Sequence, residues 1–403
     1  MPKPRLAILG AGPTGLEAAL EATELGLPFT VYEAAPRVAG HVRSWGHVRL
    51  FTPWSMNASP RMRAAFAAQG VEIPDGEDCP TGAELIERLF EPIAALPAIA
   101  PNLRLGARVL AVGREGLLKH EEISSPARAA RPFRLLVRDA SGSERVEHAE
   151  VVIDASGTYG NPNALGDGGI PAPGEEALEG AIRRDIPDVA REAADWAGRT
   201  ILLAGGGHSA KTAACELAEL AKNASGTRIL WALRGESRPA ADPADPLPGR
   251  ARLDREAEGI ANGANPAVEV RSGAVVESLA QDNGKLAVTL RGANGAETLG
   301  VDRILALTGF VSDDRLYRQL QIHECYAFSA PMKLSAALLG AAGGGGDCLA
   351  QTGHGAETLV NPEPNFFILG IKSYGRNNNF LMRVGWEQVA EVFGRLREGG
   401  MLG

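Results

Sequence analysis

Two stretches of this chain follow one plan, and their recurrence restricts the fold more than any other feature. The first is Gly10-Ala11-Gly12-Pro13-Thr14-Gly15, entered from the apolar run Leu6-Ala7-Ile8-Leu9 and followed by an Ala/Leu/Glu-rich stretch over 16–25. The next apolar run, Phe29-Thr30-Val31-Tyr32, closes on Glu33, 23 residues after Gly10. Strand, glycine turn, helix, strand and acid in this spacing form a dinucleotide-binding fingerprint. Gly10 serves the tight turn, Gly12 the approach of a pyrophosphate, and Gly15 the packing of helix on strand. The helix N-terminus turns free N–H groups and a positive dipole end toward the phosphates. Pro13 gives up an N–H that has no intrahelical partner there, and Thr14 shares the turn.

The second copy begins at Thr200-Ile201-Leu202-Leu203, turns at Gly205-Gly206-Gly207-His208-Ser209-Ala210, and continues as a predicted helix over 211–222. Its acceptor strand, residues 228–233, ends at Arg234 rather than at an acid. The tails repeat as well. Residues 133–137, a Ser-Gly turn at 141–143 and Val151-Val152-Ile153 lead to Asp154-Ala155-Ser156-Gly157. Residues 286–290, a turn at 293–295 and a strand from Arg303 lead to Thr308-Gly309. Each tail reads as a small β-meander whose last strand delivers a glycine beside the nucleotide. Two modules imply two dinucleotides. Glu33 suits an unphosphorylated ribose diol, whereas the Arg234 fork suits a 2′-phosphate. The second module is therefore expected to take NADPH, with NADH as the alternative.

The remainder of the chain is read more coarsely. Residues 34–60 form a loop crowded with His41, Arg43, Trp45, His47, Arg49, Phe51 and Trp54, and such loops often carry function. Trp45 and Trp54 are expected to be packing anchors. Helices are predicted over 61–69 and 81–93, the second with a Thr81/Glu84 capping box. An apolar strand centred on Val109 lies within 102–111. Residues 161–180 read as a linker, 238–266 as a long loop or lid, 315–321 as a short helix, and 328–364 as irregular, including the glycine run 343–346. A last core strand over 365–369 precedes Gly370-Ile371-Lys372-Ser373 and a closing helix over 380–396.

Bulk properties exclude several classes. The 403 residues allow two or three domains, and the hydrophobic (45%) and charged (22%) fractions are those of a globular chain. A net charge of -8 without a basic block argues against a nucleic-acid partner. No apolar run reaches membrane-spanning length, and residues 1–5 leave no room for a signal peptide before the first strand. Cys79, Cys215, Cys325 and Cys348 are scattered, with no Cys-x-x-Cys pair and no metal-ligand spacing. A cytoplasmic protein without a structural metal is expected. Cys348 and His354 share a loop, but lone thiols and imidazoles in loops are usually uninvolved.

In this order, the motifs resemble those of the two-dinucleotide-binding-domain flavoproteins. These include thioredoxin-reductase-like enzymes, pyridine nucleotide-disulfide oxidoreductases and flavin-containing monooxygenases, and the resemblance covers essentially the whole chain. It implies an α/β fold of two Rossmann-like domains, each with three-layer ββα architecture and a meander. An FAD domain over 1–165 would resume over 306–403 around an NAD(P)H domain over 166–305. By that resemblance Gly10, Gly12, Gly15 and Glu33 hold FAD, with Ala155 and Gly157 at the neighbouring strand end. Val109 would lie by the adenine, Thr52 near the flavin ring, and Gly370 to Ser373 toward the flavin pyrimidine. Gly205, Gly207, His208, Ser209, Ala210 and Arg234, with Thr308 and Gly309, would hold NADPH. The missing Cys-x-x-Cys argues against a dithiol relay. The second turn is similar to that of flavin-dependent monooxygenases, which implies insertion of one oxygen atom from O2 into a small N or S nucleophile through a C4a-peroxyflavin. Lys372, Ser373 and His47 are the candidate hydrogen-bond donors for that pocket. The chain departs from the monooxygenase pattern at Ala39-Gly40-His41-Val42 and at residues 178–184, where the expected histidine is absent. The alternatives are an NADPH-dependent reductase serving a quinone, metal species or partner protein, and a redox sensor without turnover. Homodimers are common in the superfamily.

Overall fold

A computed structural model describes residues 3–342 and 353–399. Two compact units divide the chain. One comprises residues 1–46, 52–161 and 311–403, the other residues 47–51 and 162–310.

The first unit opens with β1 (Leu6–Leu9), α1 (Pro13–Glu24) and β2 (Phe29–Glu33). After α2 (Pro60–Ala67) and a helical stretch from Gly82 to Ala94 come β3 (Leu103–Leu105), β4 (Arg108–Arg114), β5 (Phe133–Arg138), β6 (Glu144–Ala149) and β7 (Val151–Asp154). The Thr81/Glu84 capping box is present with both of its hydrogen bonds. The strand expected around Val109 is two strands. Gly106, at φ 64°, breaks the run, so that β3 joins the parallel sheet beside β2 while β4 starts an antiparallel meander with β5 and β6.

The second unit repeats the plan with β8 (Ile182–Arg183), β9 (Thr200–Ala204), α3 (His208–Asn223), β10 (Arg228–Leu233) and α4 (Pro248–Gly259). It continues through β11 (Val268–Ser272), the meander β12 (Val275–Asp282), β13 (Lys285–Gly292) and β14 (Gly295–Val301), and β15 (Arg303–Ala306). Its parallel sheet runs β11-β10-β9-β15-β8. Strand alternation sorts the core into two layers. Ile201, Leu203, Ile229 and Trp231 pack on Ala210, Ala213, Ala214 and Leu217 of α3 and on Ala257 of α4. Leu202, Ala204, Leu230 and Ala232 pack on Val276, Leu279, Leu286, Val288 and Leu290 of the meander.

Two expectations fail in this unit. The stretch 238–266 is not one long loop. It contains α4, started by Pro248 at its first position and continued by a π turn, Ile260–Ala264. The four arginines and five prolines of the stretch hid an apolar stripe of small residues, including buried Ala251 and Ala257. Residues 161–180 are not a free linker either. Glu175, 2% exposed, accepts hydrogen bonds from the Leu165 and Ala172 amides and pairs with Arg184 at 2.8 Å.

The chain returns to the first unit with the short hairpin β16 (Glu324–Cys325) and β17 (Ala330–Pro331), then α5 (Met332–Ala342), β18 (Phe366–Ile368) and α6 (Met382–Glu398). Only Arg315–Tyr317 of the helix expected over 315–321 forms a turn, of 3-10 type. The region expected to be irregular holds α5, while the glycine run 343–346 and Cys348 lie outside the described residues. The parallel sheet of the first unit is β18-β7-β1-β2-β3. One face packs against the meander through Ala7, Leu9, Val152, Phe133, Leu135 and Val137. Helices α1 and α6 pack against each other. Among the described residues no helix is long and apolar enough to cross a membrane.

Candidate nucleotide sites

Each parallel sheet ends at a glycine turn, and the steric record of the turn explains its residues. In the first unit Gly10 has φ 100°, and a Cβ there would stand 2.6 Å from the Ala155 carbonyl oxygen. A Cβ on Gly15 would stand 1.9 Å from the carbonyl oxygen of Gly10. Gly12 differs: nothing lies within 4 Å of its Cβ position. Two of the glycines close the turn on protein, and the middle one opens it to a ligand. Pro13 is the first helical residue of α1, and no side chain caps that helix. The acid Glu33 is nearly buried and tied to the turn. Its Oε2 accepts from the Ala11 amide at 2.8 Å and its Oε1 from the Ala35 amide at 2.9 Å.

Sequence order separates the pieces that complete this end of the sheet. The sheet order places the crevice between β1 and β7, where the strand order reverses, which is where open α/β sheets bind ligands. Ala155 donates to the Leu9 carbonyl at 2.9 Å, and Gly157 stands at φ 74°, where a Cβ would have the His41 ring 3.9 Å away. Thr14 is wedged between two glycines of the C-terminal stretch: a Cβ on Gly370 or on Gly385 would stand 2.8 Å from its Oγ1. Thr52 shares a small network with Asn57, whose side chain holds the Thr52 and Pro53 carbonyls at 2.8 Å. Val109 is half-buried in β4, opposite Val137.

The three candidate donors are placed as follows. Lys372 is 2% exposed, and its Nζ lies 2.7 Å from Asp154 Oδ2 and 3.2 Å from Ser156 Oγ, with the Tyr317 ring centroid at 5.3 Å. Ser156 also donates to Asp154 Oδ1 at 2.6 Å. Ser373 is fully buried; it donates to the Gly370 carbonyl at 2.7 Å and accepts from Gln388 at 2.9 Å, while Gln388 accepts from the Gly370 amide. Both side chains are committed to internal partners. His47 belongs to the second unit and is half-buried, with its Nε2 buried and unpartnered. Sequence reading gave Asp154 no role beyond the strand end and did not single out Gln388. The available signal was a charged residue ending the all-apolar run 151–153 and an amide on the buried face of the last helix. Trp54 is an anchor as expected, at 7% exposure.

In the second unit a Cβ on Gly205 (φ 135°) would stand 2.2 Å from the Leu307 carbonyl oxygen, and Trp231 Nε1 donates to the Gly205 carbonyl at 2.8 Å. Nothing lies within 4 Å of the Gly207 Cβ position, repeating the openness of Gly12. Gly207 is the N-cap of α3, which has neither a side-chain cap nor an acid in its first turn. Four amides are therefore free for an anion. Ser209 is exposed beside them and Ala210 is buried under the turn. His208, the first helical residue, lies near Asp254 of α4. Thr308 is pinned by mutual hydrogen bonds with Asn163, and Gly309 adopts φ 84°. Arg234 lies exposed at the end of β10, with no ion pair among the described residues. Its charge depresses the carboxyl pKa of Asp167, though less than the hydrogen bonds from Arg291 and the Gly168 amide do. No group of three or more metal-ligating side chains occurs among the described residues.

Residues 8–67 match the family described as NAD(P)-binding Rossmann-like domain. Along 309 residues the chain is 28% identical to ferredoxin–NADP reductase 1 of Cupriavidus taiwanensis, covering 76% of this chain and 71% of that protein. Among solved structures it is similar to the bacillithiol disulfide reductase of Bacillus cereus, with a TM-score of 0.67, 18% identity and coverage of 98% and 99% of the two chains. It is also similar to the ornithine N-hydroxylase of Kutzneria sp. 744, with a TM-score of 0.64, 13% identity and coverage of 99% and 100%. With the duplicated module, these likenesses show that the chain has the fold of the two-dinucleotide-binding-domain flavoproteins, with an NAD(P)-binding Rossmann-like domain at residues 8–67.

Proposed function

We propose that the protein is an FAD-dependent oxidoreductase reduced by NADPH, and that it passes the electrons to a separate acceptor. One observation carries the reading: two glycine turns of the same build, open at Gly12 and Gly207, end in side chains of opposite charge, Glu33 and Arg234. The residues fit the two cofactors. Uncapped helix N-termini at α1 and α3 have free amides for a pyrophosphate, and the open glycines leave room for it. Gly10, Gly12, Gly15 and Glu33 would hold FAD, and Gly205, Gly207, His208, Ser209 and Arg234 would hold NADPH. Bound there, FAD would supply the redox chemistry that links hydride from the nicotinamide to electron delivery to the acceptor. The chain's own part is positioning: Thr14, Gln388 and Ser373 fix the C-terminal stretch at Gly370 against the first turn.

Delivery to an outside acceptor (a quinone, a metal species or a protein) is favoured by two features. The Lys372 ammonium and the Ser373 hydroxyl are already engaged by internal partners, Asp154 and Ser156 for the first and the Gly370 carbonyl for the second. Residues 178–184, where monooxygenases place a histidine motif, are tied up by Arg184 with Glu175 and Glu179. The similarity to a ferredoxin–NADP reductase supports the same choice. A second reading, a monooxygenase acting on a small N or S nucleophile, is supported by the Ser209-Ala210 end of the second turn. The test is to reduce the flavin anaerobically with NADPH and mix it with oxygenated buffer while recording spectra from about 350 to 500 nm. Immediate return of oxidised flavin upholds the reductase. A lasting species without the oxidised-flavin band transfers the proposal to the monooxygenase, and failure of NADPH to reduce the flavin overturns both.

A further inference from the structure

The N-terminus of α3 carries more basic groups than a glycine turn requires, and α4 controls their charge. Lys211 Nζ donates to Asp254 Oδ1 at 2.8 Å, so its charge is balanced inside the protein. Arg250, also on α4, is balanced by Asp245 at 2.6 Å. His208 Nε2 stands 3.6 Å from the same Asp254 oxygen, just beyond hydrogen-bond reach, and the Phe51 ring meets the imidazole edge-on at 5.6 Å. The ring is half-buried at the first position of the helix, beside the open Gly207. With Lys211 and Arg250 neutralised, His208 is the one group at this turn whose charge changes in the physiological range.

We propose that His208 contacts the pyrophosphate of NADP(H) as an imidazolium and takes up a proton as the dinucleotide arrives, so that affinity at the second module rises as pH falls. The proposal rests on the NADPH-binding reading of that module. In the free protein the facing groups are Lys211, Arg250, Asp254 and Asp245. Burial, then Lys211 and Arg250, hold the imidazole below its ordinary value, while Asp254 and Asp245 partly oppose them. At neutral pH the free ring is therefore mostly uncharged. Phosphate oxygens beside it favour the charged form and raise its pKa in the complex. Protons are taken up between the free and bound values, and the dissociation constant climbs with pH across that window and levels off outside it.

Calorimetric titration of the FAD-loaded protein with NADP+, at pH 7 in two buffers of different ionisation enthalpy, counts the protons. The 2′-phosphate of NADP+ itself titrates near pH 6, so the quantity read is the difference between wild type and H208N. Wild type should take up roughly half a proton more than H208N, and the ratio of the wild-type Kd to that of H208N should rise about fivefold from pH 6 to 8. Equal proton counts and parallel pH profiles overturn the role of His208. Absence of NADP+ binding to wild type at any pH overturns the reading of the site itself, and the proposal with it. H208Q serves as the second variant if H208N does not fold.

Discussion

The two modules share a plan and differ in how their turns are held. In the first, the strand-end acid Glu33 is nearly buried and bound to two backbone amides, and Thr14 is clasped by glycines from the far end of the chain. In the second, the strand-end Arg234 is exposed, and the turn is steadied from within by Leu307, Trp231 and the α4 side chains. The first turn is built like a permanent seat and the second like a docking place. That is the division of labour that the proposed resident flavin and exchanging pyridine nucleotide would demand. It follows from which residues close each strand, since both turns obey the same sterics.

The most severe way to break the comparison is steric. Gly15→Ala drives a methyl group into the Gly10 carbonyl and should abolish FAD retention, with loss of soluble protein, whereas Gly12→Ala, facing open space, should fold and show weakened FAD binding. Flavin content after gel filtration reads both. Next in size is the buried pair under the first sheet end. Lys372→Met leaves Asp154 charged and buried, and should cost about 3–5 kcal/mol in chemical denaturation of the first unit with little effect on the second. For the second module, Arg234→Gln should raise the Kd for NADPH by roughly 10- to 100-fold and leave that for NADH within about threefold, measured by fluorescence quenching. Equal losses for both nucleotides would remove the 2′-phosphate assignment.

The smallest effect is one of pH. Glu216 on α3 is pushed up to about 7, first by burial and then by the neighbouring Asp188. Its charged form is thus the disfavoured one in the folded state. The second unit should lose stability as pH rises from about 4.5 to 7 and stay lower above that. Glu216→Gln should match wild type at pH 5 and gain about 1–2 kcal/mol at pH 8 in thermal or urea unfolding, after allowance for the partial exposure of this side chain.

Much of the fold was legible because the information was local. The glycine turns, their flanking strands and the Thr81/Glu84 cap depend on neighbours a few residues away, and both Rossmann sheets follow from them. What stayed hidden depended on partners distant in sequence. Nothing near residue 372 announces that its ammonium meets Asp154, and nothing near 175 announces that its carboxylate gathers residues 165, 172 and 184. Helix α4 was missed because prolines, arginines and alanines mask a narrow buried stripe. The break at Gly106 was missed because an apolar run reads as one strand until a positive φ divides it.

The clasp on Thr14 has a consequence for how the chain is made. The second unit is almost entirely the continuous stretch 162–310, whereas the first needs β18 beside β7 and α6 beside α1. During synthesis the inner unit has its whole sheet available while the outer one still shows β7 as an unpaired edge, and domains generally fold as units as they emerge. The first fingerprint met on the ribosome is therefore the last to be finished. A nascent chain would wait for its final helix before its first glycine turn was closed.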